Sequence, residues 1–471
     1  MEPGVDRRFA QNSNAFMHWL KQQHGVWVSP KISIADLRSR GAGRGVVACE
    51  GIASNEDLFS IPEDLVLNVQ NSELKNLINL ENAGLDTWSS LIVTMIYEYL
   101  RGAASRWSSY FDVLPTEFDT LMFWTDEELH QLKGSFVLGK IGKQQADEMI
   151  YEDILPLIAK HPHIFQPHNQ FVSSDLLENQ VAWIELAHRM GTLIMAYAFD
   201  IEVDIDKEEK EGQDGYVTDD ELQVTKGMIP LADLLNADGH RNNARLYQED
   251  GYFRMRSIAP ISKGAEIFND YGEIPRADLL RRYGYITDNY TPYDVVEISL
   301  ESVLNATGRD SDCYQLKFLE DFDILDDGYA FQRPDEHTTL ADVIPADLLI
   351  LLQVLQMTQD QLLELEKKAT LPKPELKESE AKVLVKILQN RQQDYPTTVD
   401  EDNHLLQSLD NSDSTSDHHK EMAIQVRKGE KEVLQLLLDD LQSFIRSLHN
   451  QQPKRGANNE SGDGKRRKLK W

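Results

Sequence analysis

The sequence predicts an α+β chain: a β-rich domain interrupted by a helical insert, followed by an all-helical domain. Three observations carry that expectation. Short apolar runs bounded by Gly and Pro crowd residues 46–69 and return at 246–268. Stretches with helical spacing fill the interval between them, and from Leu300 onward apolar positions recur three and four apart. A chain of 471 residues is also too long for one core and implies two or three domains.

Taken in order, residues 16–29 read as a short helix (Phe16, Trp19, Leu20) closing onto a strand near Trp27. Gly41-Ala42-Gly43-Arg44-Gly45 is a turn feeding the buried strand Val46-Val47-Ala48, and strand-like runs follow at 58–61 and 65–67, split by Pro62. Leu91, Met95, Ile96 and Leu100 then follow helical spacing, with Thr87 or Ser89 as cap and Gly102 as stop. Helical patterning continues through 125–134, 144–159 and 174–199. Ten acids against two bases in 202–221 read as an exposed loop. Strands resume at 246–255 and 266–268. Beyond Leu300 three apolar stripes at 348–355, 383–388 and 434–448 predict a compact helical domain, with a flexible loop over 400–419. The expected organisation is therefore a domain at 16–290 with its insert at about 75–200, a helical domain at 300–450 and a disordered basic tail at 451–471.

Composition narrows the function classes. The net charge is −31, and the last eighteen residues carry seven Lys/Arg against two acids, leaving the body at −36. Such a surface repels nucleic acid and steers cationic partners inward; solubility is the plainer explanation. No apolar run reaches the ~18 residues that span a bilayer, and Met1–Gln11 lacks a secretory core, so the cell interior is expected. Cys49 and Cys313 form neither a disulfide framework nor a cysteine-based zinc cluster. His161, His163 and His168 sit among prolines without a completing carboxylate and read as surface residues, so no metal is expected. Lys465-Arg466-Arg467-Lys468-Leu469-Lys470 is a nuclear-localisation candidate, with a solvated tail as the alternative.

The segment from Met228 to Tyr285 is the most informative. It holds Asp233-Leu234-Leu235-Asn236, then Phe268-Asn269-Asp270-Tyr271-Gly272, then Arg282-Tyr283-Gly284-Tyr285. By spacing alone Tyr271 and Tyr283 are equally readable as packed core aromatics. Asn236 is readable as a turn-capping residue, and the glycine turn as an ordinary hairpin. The order of the pieces adds what each lacks singly.

A Gly-Arg-Gly turn before a strand, a helical insert, Pro230–Asn236, Ile258–Gly272 and Leu279–Tyr285 together resemble the split SET-domain protein methyltransferases of the Rubisco large-subunit methyltransferase group. Within that group the chain resembles most the branch of SET-domain-containing protein six and the fungal ribosomal lysine methyltransferases. The resemblance runs from about Trp19 to Tyr290, and Ala104–Trp107 and Met122–Trp124 in the insert share it. It implies a SET domain with a helical substrate-binding domain behind it and S-adenosyl-L-methionine as cofactor. Residue by residue it implies Tyr271 as catalytic phenol and Tyr283 as the second tyrosine, shared with the cofactor. It implies Gly43, Arg44, Gly45, Tyr197, Asn236 and Ala237 at the cofactor, and Trp107, Asp200 and Asn269 on the substrate side. Asp233 is expected to fix its loop without touching a ligand. One departure stands out: the group commonly has Asn-His where this chain has Asn236-Ala237, and the Asn-Ala-Asp form resembles the fungal branch.

Methyl transfer to an amine needs a neutral nitrogen held in line with the methyl group. A lysine, protonated at neutral pH by its reference pKa of about 10.4, loses that proton more readily when desolvated beside a positive charge. The functional expectation is a protein-lysine N-methyltransferase acting on a basic protein, a large-subunit ribosomal protein ahead of histones or other nuclear proteins, in a monomeric nuclear enzyme. The rival from another class is a non-catalytic SET-fold adaptor, favoured by Ala237 alone. A third option keeps the chemistry with an imidazole as acceptor.

Overall fold

The computed structural model describes residues 3–166, 179–203, 223–409 and 415–451. They fall into two compact units: one from residues within 1–132, 137–293 and 411–423, the other from 133–136, 294–410 and beyond 424. Each has its own hydrophobic core.

The first unit is built on small antiparallel sheets. A four-stranded sheet has the order Trp27–Val28, Asp57–Pro62, Tyr252–Ser257, Ala244–Glu249. Its last two strands form a hairpin because Asp250 and Gly251 both take positive φ (52° and 77°), the twist that matches paired strands. A three-stranded sheet sets Arg44–Ala48 between Ile32–Asp36 and Glu266–Ile267, with Val47 opposite Glu266. This register brings the glycine turn beside the segment that leads into Asn269. Phe199–Val203 and Gln223–Gly227 pair separately.

The insert is helical, as the spacing predicts, with corrected boundaries. Helix Thr87–Leu100 is capped by Asp86, whose carboxylate accepts from the Ser89 amide at 2.7 Å, and not by Thr87 or Ser89. The expected helix over 144–159 runs without a gap as Lys143–Met149, a π turn at Ile150–Ile154 and Leu155–Lys160. Pro156 has no amide hydrogen to continue an α ladder there. Residues 65–67 form no strand; a short 3-10 turn ends at Leu65, and Leu67 makes one isolated bridge to Met228. The first helix, Pro3–Gln22, begins earlier than expected.

The second unit is mostly helical, but strands do not end at Leu300: Gly328–Gln332 pairs antiparallel with Val295–Ser299. The expected stripes lie on helices Ala346–Gln356, Glu378–Gln392 and Thr415–Gln451. The loop expected over 400–419 is corrected to helix Val399–Leu409 and the start of the last helix. A capping box starts the former, Glu401 accepting from the Thr398 amide at 2.8 Å and the Thr398 hydroxyl facing the Glu401 amide. Asp402, which reads as a loop acid, is fully buried against Lys431 Nζ at 2.6 Å. The acidic stretch 204–222, His168 and the basic tail lie outside the described residues.

Candidate active site

The loop Ile229–Asp238 threads through the first unit and places the site. Leu231 holds a left-handed backbone (φ 80°, ψ −37°) while fully buried, a conformation that costs a bulky residue energy and that its surroundings must impose. A 3-10 turn at Ala232–Leu234 follows, and Ala237 then bridges in parallel to Asn269. The Asn269 amide donates to the Asn236 carbonyl at 2.9 Å.

Asn236 lies where the glycine turn comes closest. Its Nδ2 donates to Glu266 Oε1 at 2.7 Å and to the Arg44 carbonyl at 3.3 Å. Both partners only accept, so the amide orientation is fixed and Oδ1 is left for another donor. Gly45 is packed tightly here: a Cβ would meet Leu37 Cδ1 at 2.4 Å, Glu266 Oε1 at 2.9 Å and Asn236 Nδ2 at 3.0 Å, so those side-chain ends would have to shift. The Arg44 guanidinium turns the other way, onto Ser13 Oγ at 3.0 Å, the Val113 carbonyl at 2.9 Å and the Phe9 ring. Arg44 therefore contributes backbone only. Gly43 is exposed, with open space where a Cβ would stand.

Tyr271 and Tyr283 meet across the site. Their rings stack 4.3 Å apart at 11°, and Tyr285 meets Tyr283 edge-on at 6.5 Å. At that spacing the two rings are in contact. The Tyr271 hydroxyl donates to the Leu235 carbonyl at 3.5 Å, the outer limit of a hydrogen bond. Asp270 caps the turn on either side: its Oδ1 accepts from the Gly272 amide at 2.8 Å and its Oδ2 from Asn242 at 3.0 Å. Tyr283 ends helix Arg276–Tyr283, closed by Gly284 at φ 75°. A Cβ on Gly284 would meet the Asp119–Thr120 backbone at 2.8 Å, so only glycine turns the chain there from Tyr283 to Tyr285.

Burial, then the neighbouring phenols, push Tyr271 well above its usual pKa. Burial and the nearby Asp233 charge push Tyr197 up to about 12. Both stay protonated at physiological pH, able to donate and accept hydrogen bonds but unable to act as phenolate bases. Asp233 is buried beneath them, accepting from the Tyr110 hydroxyl, and burial raises it to about 7.

The structure thus brings together Gly45, Asn236, Ala237 and Asn269, with Tyr271 beside Tyr283 and Tyr197 within electrostatic reach. One expected substrate contact is a correction: Trp107 is 1% exposed in the core, and its indole nitrogen donates to the Leu65 carbonyl at 2.8 Å. Asp200 lies exposed on strand Phe199–Val203, opposite Lys226 and ion-paired with it. From sequence alone Glu266, Tyr285 and Asp238 have no role, and Asp233 has only a loop-fixing one. Asp238, the acid after the irregular Ala237, is 2% exposed. It accepts from the His240 and Arg241 amides (3.0 and 2.9 Å), from the Arg241 guanidinium and from Asn289 Nδ2 at 2.8 Å. The Asn-Ala-Asp signal was visible, but its partners come from residues up to 51 positions away. The second unit holds a cavity of about 770 Å³, yet its two bases are already paired, Lys431 with Asp402 and Arg333 with Glu432.

Fold and site together define a split SET domain followed by a helical substrate-binding domain. The SET domain family profile matches residues 43–272, and the profile described as Rubisco LSMT substrate-binding matches residues 313–434. The chain is 36% identical over 308 residues to ribosomal lysine N-methyltransferase 4 of Saccharomyces cerevisiae, covering 63% of this chain and 60% of that protein. It is 27% identical over 450 residues to the N-lysine methyltransferase SETD6 of Mus musculus, covering 90% and 89%. The solved structure of the SET domain of LSMT bound to lysine and AdoHcy superimposes with a TM-score of 0.66 at 20% identity, covering 94% of this chain and 93% of that one. The chain thus carries a SET domain followed by a Rubisco LSMT substrate-binding domain, and it is similar to proteins named as lysine methyltransferases.

Proposed function

We propose that this S-adenosylmethionine-dependent protein-lysine N-methyltransferase acts on a basic protein of the large ribosomal subunit, and that the two meet in the nucleus. The observation that carries the chemistry is the Tyr271 hydroxyl, held on the Leu235 carbonyl one residue from Asn236. A similar yeast protein is named for ribosomal lysine methylation, and a body of net charge −36 suits a lysine-rich substrate. The basic stretch Lys465–Lys470 supports the nuclear location.

The residues fit the cofactor: Asn236 offers a free Oδ1 to its amino-acid end, and the absent Cβ of Gly45 leaves room for the Asn236 and Glu266 groups that shape the pocket. When bound, S-adenosylmethionine supplies a methyl group on a sulfonium centre. Tyr271 is the catalytic phenol: donating its proton to Leu235 leaves its oxygen lone pairs for an amine N–H, which aims the nitrogen. As a neutral phenol it positions the amine and does not deprotonate it. Desolvation by the Tyr197, Tyr283 and Tyr285 rings favours the uncharged amine. Tyr283, stacked on Tyr271, fixes that ring and borders both pockets. Asn269 holds the Asn236–Ala237 segment through its backbone, which supports a place for it on the substrate side.

The test is transfer of labelled methyl from S-adenosylmethionine to salt-washed large ribosomal subunits, with histone octamers in parallel, followed by acid hydrolysis and identification of the labelled residue. Methyllysine in one large-subunit protein is the expected result. Label confined to histones would overturn the ribosomal assignment, and no label in either pool would favour the adaptor reading.

A further inference from the structure

Asp233 is a buried carboxylate without a cation. It is 6% exposed, and among the described residues it forms no ion pair. Its one side-chain partner is the Tyr110 hydroxyl on Oδ2; Oδ1 has no partner of hydrogen-bond geometry, and the Leu231 and Asp233 amides lie close enough only to ease its charge. The titratable groups facing it are phenols: Tyr110 from helix Ser108–Phe111, Tyr197 from the end of helix Gln180–Tyr197, and Tyr271 from the segment after strand Glu266–Ile267. None can carry a positive charge. A buried charge is ordinarily paired, because leaving it bare costs several kcal/mol. An apolar or amide side chain of similar volume would fill the same space without that cost.

The place of Asp233 in the chain supplies what the protein does not. It lies two residues before Leu235, whose carbonyl holds Tyr271, and three before Asn236. The strained Leu231 and the tether to Tyr110 fix it there. We propose that Asp233 is the counter-ion of the methyl-transfer site, balancing the positive charge of the sulfonium and thereby favouring the charged cofactor over its neutral product. The inference rests on the methyltransferase reading above and adds to it a residue that discriminates the two by charge.

The proton balance follows. In the free protein burial holds the carboxyl at about 7, so near pH 6.5 it is largely protonated. When a cation binds nearby, the O–H bond breaks, the carboxylate remains as the partner charge and the proton passes to the buffer. S-adenosylhomocysteine, lacking the sulfonium charge, leaves the carboxyl protonated. After methyl transfer the charge has moved from sulfur to nitrogen, and loss of that charge on the cofactor side weakens the hold on the product.

Calorimetric titration of the full chain at pH 6.5, in phosphate and in bis-Tris, tests this directly because the two buffers differ in ionisation heat. The parent should release a large fraction of a proton on binding S-adenosylmethionine and little on binding S-adenosylhomocysteine. Asp233→Asn should abolish the difference and lower the ratio of the two affinities roughly tenfold. Tyr110→Phe removes the donor that eases the ionised form, so it should lower the same ratio while increasing proton release. If Asp233→Asn weakens both ligands equally, or leaves their ratio unchanged, Asp233 is structural and the inference fails. Should the Asn variant not fold, an unchanged ratio in Tyr110→Phe overturns it equally. A parent that binds neither ligand would overturn the methyltransferase reading itself.

Discussion

At the scale of single residues, position in the interior decides what each polar group can do. Tyr271 and Asp233 show it in the site, and Glu430 shows it in the second unit. Glu430 is buried, accepting from Ser135 Oγ at 2.5 Å and from the Tyr395 hydroxyl at 2.6 Å. Burial outweighs those bonds and raises its pKa from 4.5 to about 7. Between those two values the folded chain keeps a proton that the unfolded chain has lost. The stability contributed by that proton is present at acidic pH and is lost as pH rises through 7, by about 3 kcal/mol. Glu430→Gln cannot ionise and escapes the loss. Denaturant melts at pH 5 and pH 8 should show the variant gaining on the parent across that interval. Identical pH dependence in both proteins would mean that Glu430 keeps an ordinary pKa in the fold.

At the scale of elements, the site is a meeting of three backbone segments, and glycine permits the closest approach. Strand Arg44–Ala48 packs against Leu37, Glu266 and Asn236 at Gly45, where a Cβ would crowd all three side chains. Gly45→Ala should displace the Asn236 amide or the Glu266 carboxylate, lowering affinity for S-adenosylmethionine at least tenfold, about 1.4 kcal/mol. The overpacking should also cost about 1–3 kcal/mol of stability. Calorimetry and thermal melts check the two effects, and unchanged affinity would remove the glycine turn from the cofactor site. The same scale explains the irregular Asn236-Ala237-Asp238 sequence. Ala237 acts through its backbone bridge to Asn269, and Asp238 gathers the following turn through Arg241 and Asn289. The departure at Ala237 therefore leaves the geometry of Asn236 intact.

At the scale of the whole molecule, the sequence made the architecture legible and the polar interior much less so. Strand Arg44–Ala48, the insert helices and the C-terminal stripes follow from periodicity, because burying one face repeats at fixed spacing. Trp107 misled because a shared local motif does not reveal that its indole is closed on Leu65. The ion pair of Asp200 was hidden because its partner, Lys226, arrives from the far side of the acidic segment. Asp402 looked like a loop acid because its burial depends on Lys431, 29 residues away. Asp233 was legible as a loop-fixing residue, but its isolation from any base is a three-dimensional property. In each case the deciding partner lies outside the window in which local pattern operates. The acidic balance, by contrast, is fully legible from composition.

The most direct measurement on the central claim compares Tyr271→Phe with the parent for two quantities, single-turnover methyl transfer to the protein acceptor and affinity for S-adenosylmethionine. The expected result is transfer reduced at least 100-fold, about 2.7 kcal/mol or more in the barrier, with cofactor affinity within twofold of the parent. Transfer at the parental rate in that variant would contradict the assignment of Tyr271 as the residue that aims the amine.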